Sequence, residues 1–154
     1  VEAEPLMLDL APKFVEARQF FLNAIDEDAE AYNVVFNAFK LPKETDEDKA
    51  FRSQKIQEAT LIAALVPFNV ASKAVEMMPL IRQVADNGNQ NAITDCCVAM
   101  MCARTAALGA ILNVRINLTS LKDQDKVAEF TKECNRLENE ARHFENDLLE
   151  NVKI

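Results

Sequence analysis

Glycine is almost missing from this chain: its 154 residues include only Gly88 and Gly109, with five prolines and no tryptophan. So few turn formers exclude a sandwich or barrel of many short strands, which needs a turn every few residues. Two isolated glycines likewise exclude a glycine-rich phosphate loop. A single histidine, His143, gives no support to a Ser-His-Asp or Cys-His relay. The four cysteines, Cys96, Cys97, Cys102 and Cys134, show no Cys-x-x-Cys pair and no zinc-like spacing. They read as small apolar core residues of a reducing, cytoplasmic protein, and no metal is expected. Basic charge is also short: 17 Lys and Arg against 25 Asp and Glu leave a net charge of −8. That balance disfavours a nucleic-acid backbone or an anionic membrane as the main partner. No charged-then-apolar leader opens the chain, since Glu2, Glu4 and Asp9 interrupt its first leucines.

What is present is helical periodicity in a chain that is 49% apolar. The expected fold is all-α, an antiparallel helical bundle of four to five long helices forming a single domain over residues 1–154. The first helix is predicted from about Pro5 to Phe39 and ends before Pro42, which disfavours helical geometry at Leu41. Thr45, with Asp48 three residues on, resembles an N-cap with an acidic first turn. The helix that follows meets Pro67, which must kink it or begin a third helix running on to Asn87-Gly88-Asn89. From about Thr94 to Leu118 the chain is apolar on nearly all sides between Cys96 and Leu112, the mark of a central core helix. Arg104 and the short length of that stretch argue against a membrane span. Val127, Phe130, Cys134, Leu137, Ala141, Phe144 and Leu148 recur at alternating three- and four-residue steps, a heptad seam that suits the bundle core or a homodimer contact.

One residue breaks the pattern. At about 100° per residue, Phe14, Ala17, Phe21, Ala24, Ile25, Tyr32, Val35 and Phe39 share one side of the first helix, and Asp28 falls within their arc. Asp26 projects elsewhere, with Gln19, Asn23, Glu30 and Asn33. A carboxylate on a buried face must be paired, hydrogen-bonded or neutralised. Burial would raise its pKa and leave a proton for general acid work, whereas a partner from another helix would make it a packing device.

Other polar groups allow two readings each. Lys40, Lys43, Lys49, Arg52 and Lys55 gather basic charge near the first turn, as an anion site or as a solvated face balanced by Glu44, Asp46, Glu47 and Asp48. Asn113 and Asn117 share a face with Ala106, Gly109 and Ala110, as ligand-reading amides or as bonds across the core. Asp95 stands at a helix start and Asn89 and Asn91 in a turn, where local chemistry would account for them. Glu140 and His143 have a Glu-x-x-His spacing, but a second such motif is absent.

Asp26-Glu27-Asp28-Ala29-Glu30-Ala31-Tyr32 and Leu41-Pro42-Lys43 stand in order with Arg52, Ala64-Leu65-Val66-Pro67, Gly88-Asn89-Gln90-Asn91, Asp95 and Asn113-Val114-Arg115-Ile116-Asn117-Leu118. Over roughly Asp26 to Leu118 the chain resembles the cyclodeaminase domain of formiminotransferase-cyclodeaminase, without the Pro-Gly-Gly-Gly-Ser stretch and following helix that stand ahead of this region in the family. The resemblance implies a domain lacking its N-terminal portion. It implies conversion of 5-formiminotetrahydrofolate to 5,10-methenyltetrahydrofolate and ammonia, a lyase step of histidine breakdown, with Asp28 as the catalytic acid. The folate would be a substrate, with no tightly bound cofactor. Lys43, Arg52, Asn89, Asp95, Asn113 and Asn117 become its candidate contacts, the two bases facing a polyglutamyl tail. A homodimer or higher homo-oligomer is expected. A methenyltetrahydrofolate cyclohydrolase of the same family, or a non-catalytic helical interaction module, are the alternative readings.

Overall fold

The computed structural model describes residues 3–152, which form four long helices and a short 3-10 turn, with no strand among the described residues. Helix α1 spans Glu4–Phe39, α2 Asp46–Asn87, α3 Ile93–Leu118 and α4 Gln124–Asn151. The second helix is one helix, not two: it runs unbroken through both Pro67 and Pro79. Pro12 is likewise absorbed within α1.

The connections are set by local chemistry. Thr45 Oγ1 accepts from the Asp48 N–H at 3.0 Å while the Asp48 carboxylate accepts from the Thr45 N–H at 3.1 Å, a closed capping box at the start of α2. Those bonds hold the Asp48 carboxyl below its ordinary value. At the other end of α2, a Cβ on Gly88 would come within 2.5 Å of the Val84 carbonyl oxygen, so the chain leaves the helix where only glycine fits. Asn89 Oδ1 then accepts from the Asn91 N–H, and α3 begins at Ile93, one residue before the expected Thr94, with no side-chain cap. Asp123 caps α4 by accepting from the N–H groups of Asp125 and Lys126.

Helices α2, α3 and α4 enclose the core. Met78, Met100, Ile111, Val114, Cys134 and Leu137 are fully buried there. Both α2 and α3 carry stretches long and apolar enough to cross a bilayer on length and composition alone, and the largest contact in the molecule is the one between them. The α4 seam behaves as a bundle seam: Cys134, Leu137, Ala141 and Leu148 are buried within the chain, in the core that α4 shares with α2 and α3. The homodimer contact expected on those residues is therefore already occupied from within. Burial pushes the Cys134 thiol up, as it does that of half-buried Cys96, which keeps both in the unreactive thiol form.

Helix α1 packs chiefly on α2. Its buried residues are Leu10, Ala17, Ala24, Ala31 and Ala38, each seven residues from the next. Phe14 and Phe21 are half-buried against the core, but Leu8, Val15, Leu22 and Phe36 at one heptad position and Ile25, Tyr32 and Phe39 at another are all exposed.

Candidate active site

An apolar groove of about 510 Å³ runs between α1 and α3, with α2 as its floor. Phe14, Ala17, Arg18, Phe21, Leu22 and Ile25 form one wall, Ala74, Met77 and Ile81 the floor, and Ala99, Cys102, Ala103 and Ala106 the other wall. Small residues on α3 hold the groove open. Gly109, one turn beyond Ala106, has nothing within 4 Å of where a Cβ would stand. Cys102 is exposed in this wall and not a core residue, as the sequence had suggested.

The groove leads to Asp28. Phe14, Phe21, Asp28 and Val35 follow one another at seven-residue steps, so Asp28 stands in the stripe that lines the groove, just past Ile25. Two contacts give the antiparallel register of α1 on α2: Arg52 with the Phe39 carbonyl, and Lys73 Nζ over the Phe20 ring. Between them, Asp28 comes opposite Ala63. On α3, Asn117 Nδ2 donates to the Ala63 carbonyl at 3.1 Å. Asp28, Ala63 and Asn117 thus share one level of the bundle, with Asn113 a turn below.

The burial expected of Asp28 is not found. It is exposed, and it joins no ion pair among the described residues. Asp28 shares the face that its angle predicts, but the chief neighbour of α1 is α2, so the stripe borders an open groove at this point.

The remaining candidates fall into three places. Lys43 and Arg52 lie at the α1–α2 turn, about 16 Å along α1 from Asp28 at 1.5 Å per residue. Tyr32, stacked on Phe36, and Phe39 line the way between them. Arg52 is partly engaged: its guanidinium donates through Nε and Nη2 to the Phe39 carbonyl at 3.3 and 3.1 Å and lies over the Phe39 ring. Lys49 pairs with Asp46 and Lys55 with Glu58, and Lys40 sits 3.9 Å above the Phe36 ring. Of the five bases, Lys43 alone has neither an ion pair nor an aromatic partner among the described residues. Asn89 and Asp95 are at the opposite end, on the order of 30 Å from Asp28 by the same rise. There Asn89 is bonded within its turn and Asp95 is exposed in the first turn of α3. The fold does not bring them to Asp28.

Among the described residues no three of His, Cys, Asp and Glu come together as a metal site. Glu140 is held by Arg136 at 2.8 Å, and His143 lies beside Phe144. Arg18 and Cys102 are groove residues that periodicity did not single out. The signal for Arg18 was there, since it holds the same heptad position as Ile25, Tyr32 and Phe39.

The formiminotransferase-cyclodeaminase family matches residues 1–136. This chain belongs to that family. A methenyltetrahydrofolate cyclohydrolase of Methylorubrum extorquens is 37% identical over 153 residues, covering 99% of this chain and 74% of that protein. The formimidoyltransferase-cyclodeaminase of Sus scrofa is 33% identical over 136 residues, covering 88% of this chain but 25% of that longer protein. In fold, the chain is similar to a formiminotetrahydrofolate cyclodeaminase from Thermotoga maritima, with a TM-score of 0.78 at 23% identity over 97% of this chain and 72% of that one. Members of the formiminotransferase-cyclodeaminase family are folate-processing enzymes, cyclodeaminases or cyclohydrolases. The all-α bundle expected from the sequence is the observed fold.

Proposed function

We propose that this chain closes the one-carbon bridge of tetrahydrofolate, converting 5-formiminotetrahydrofolate to 5,10-methenyltetrahydrofolate and ammonia, with Asp28 moving the proton. The observation that carries this reading is the place of Asp28: the only acid in a groove-lining apolar stripe, at the level of two amides and at the head of an aromatic track that ends in Lys43 and Arg52. The reaction needs a group of this kind. N10 attacks the formimino carbon and loses a proton as the N10–C bond forms. The formimino nitrogen must gain one before its bond to carbon breaks, because ammonia leaves far more readily than an amide anion. A carboxylate that takes the first proton and delivers the second balances both steps, and it has no need of the burial that Asp28 lacks.

The distance to the basic turn suits a substrate laid along α1. With the pterin end near Asp28, the aminobenzoyl ring falls along Tyr32 and Phe39, and the glutamyl carboxylates reach Lys43 and the free edge of Arg52. Asn113, exposed one turn from Asn117, is the amide available to the pterin. Asn89 and Asp95 are not part of this proposal.

A second reading, methenyltetrahydrofolate cyclohydrolase, is favoured by the Methylorubrum relative, which matches nearly the whole chain. There Asp28 would take a proton from the water that opens the bridge. Two assays on the purified protein separate the readings: ammonia release from the formimino substrate, and loss of the methenyl absorbance. Asp28→Asn is expected to lower the faster of the two by about 100-fold to 10,000-fold. Near wild-type turnover in that variant would remove Asp28 from the chemistry. Neutralising Lys43 and Arg52 together is expected to abolish preference for polyglutamyl over monoglutamyl substrate, and an unchanged preference would reject the proposed orientation.

A further inference from the structure

Pro67 leaves α2 one donor short. The carbonyl four residues before a helical proline has no N–H to bond, and the proline ring pushes against it. For Pro67 that carbonyl belongs to Ala63, a buried residue whose carbonyl water cannot readily replace a donor at. Asn117 of α3 fills the vacancy: its Nδ2 is 3.1 Å from Ala63 O and 3.0 Å from Asn113 O. One amide hydrogen therefore crosses to α2 and the other returns to α3. Two carbonyls facing Nδ2 also fix the amide the right way round, since a flipped side chain would set Oδ1 against them.

We infer that Asn117 is a positioning residue, standing in for the N–H that Pro67 withholds and thereby holding α2 around Pro67 against α3 at the level of Asp28. The functional half of this inference rests on the folate-converting reading above; the structural half does not. It follows that Asn117 is needed because of Pro67. Pro67→Ala returns an N–H to the Ala63 carbonyl, and Asn117 then has little left to do. A residue that reads the pterin would be needed equally in both backgrounds.

The test is a double-mutant cycle in the full chain: wild type, Asn117→Ala, Pro67→Ala and the double variant, each followed by urea unfolding and by turnover of the preferred folate. Asn117→Ala is expected to raise the unfolding equilibrium constant about tenfold, as for loss of a bond to a buried acceptor. It should lower kcat by a similar factor with KM changed less than about twofold. In the Pro67→Ala background the same substitution should change either quantity by no more than about twofold. Equal losses in both backgrounds would overturn the link to Pro67. A rise in KM at unchanged kcat would overturn the positioning role in favour of ligand contact. Should Asn117→Ala fail to fold, Asn117→Asp keeps the shape while losing both donors, and its rescue by Pro67→Ala is the same test. A wild-type protein inactive on both folates would reject the proposed reaction, while the unfolding cycle would still decide the coupling.

Discussion

Helices α1 and α4 both carry a seven-residue repeat, and they use it in opposite ways. The α4 repeat turns its large side chains inward, so Leu137 and Leu148 are buried with Cys134 and Ala141 between them. The α1 repeat buries four alanines and a single leucine, and it leaves Leu8, Val15, Leu22, Ile25, Tyr32, Phe36 and Phe39 in solvent. Period alone therefore tells that a helix has a seam, but not which of its seams meets the rest of the chain. Side-chain size decides how close a neighbour comes and how strongly it holds. At roughly 0.8 kcal/mol per buried methylene, an alanine seam binds α1 weakly compared with the leucine and aromatic contacts of α4. The helix held by the smallest side chains and the helix that carries the candidate chemistry are then the same helix.

Equivalent truncations would expose this difference most directly. Leu137→Ala is expected to cost about 2 to 5 kcal/mol in urea unfolding, with a cavity left in the core. Leu22→Ala, the same change on the solvent-open groove wall of α1, should stay within about 0.5 kcal/mol. Similar losses at both positions would show that something covers α1 in solution. Gly109→Ala is a smaller and opposite effect. With open space around its Cβ, alanine should stabilise α3 by about 1 kcal/mol through helix propensity. If it lowers folate turnover at the same time, the space belongs to the substrate.

The smallest effect concerns the α3–α4 side. Glu138 accepts from Arg142 and Arg115, at 2.8 and 2.7 Å, and these bonds hold its carboxyl below the ordinary glutamate value. A carboxyl depressed in the folded state stabilises it fully above the unfolded value of about 4.3 and loses that contribution as the pH falls through the native value. Urea midpoints should therefore decline in acid more steeply for wild type than for Glu138→Gln, by about 1 kcal/mol or less for so partly exposed a network. Parallel acid profiles would show that the network adds nothing.

Most of the architecture was legible in the residues themselves. Prolines, a capping pair, Asn87-Gly88-Asn89 and the α4 heptad marked the helices and their ends, and only the continuity of α2 through Pro67 needed coordinates. A helix can continue past a proline when another residue bonds the carbonyl that the proline releases, and that partner, Asn117, lies 50 positions further on. The site was legible in part. The direction of Asp28 followed from angle, because geometry within one helix is local. Its exposure did not, because exposure depends on whether α1 has neighbours on one flank or two. Asn89 and Asp95 misled for a related reason: motif order along a chain is kept over distances that an antiparallel helix turns into separation in space.

The alanine repeat has one more consequence. Side chains that barely project do not interlock, so a row of them carries little information about axial position, much as a smooth rod lies equally well at many offsets along a groove. The larger holds on α1 are then few: Leu10, fully buried near the start, Phe14 and Phe21, half-buried against the core, and Arg52, whose guanidinium grips the last carbonyl of the helix. Asp28 sits between these holds, on a stretch of helix that buries only alanines. Its alignment with Asn117 is thus set from a distance, to be tuned by residues that never approach it.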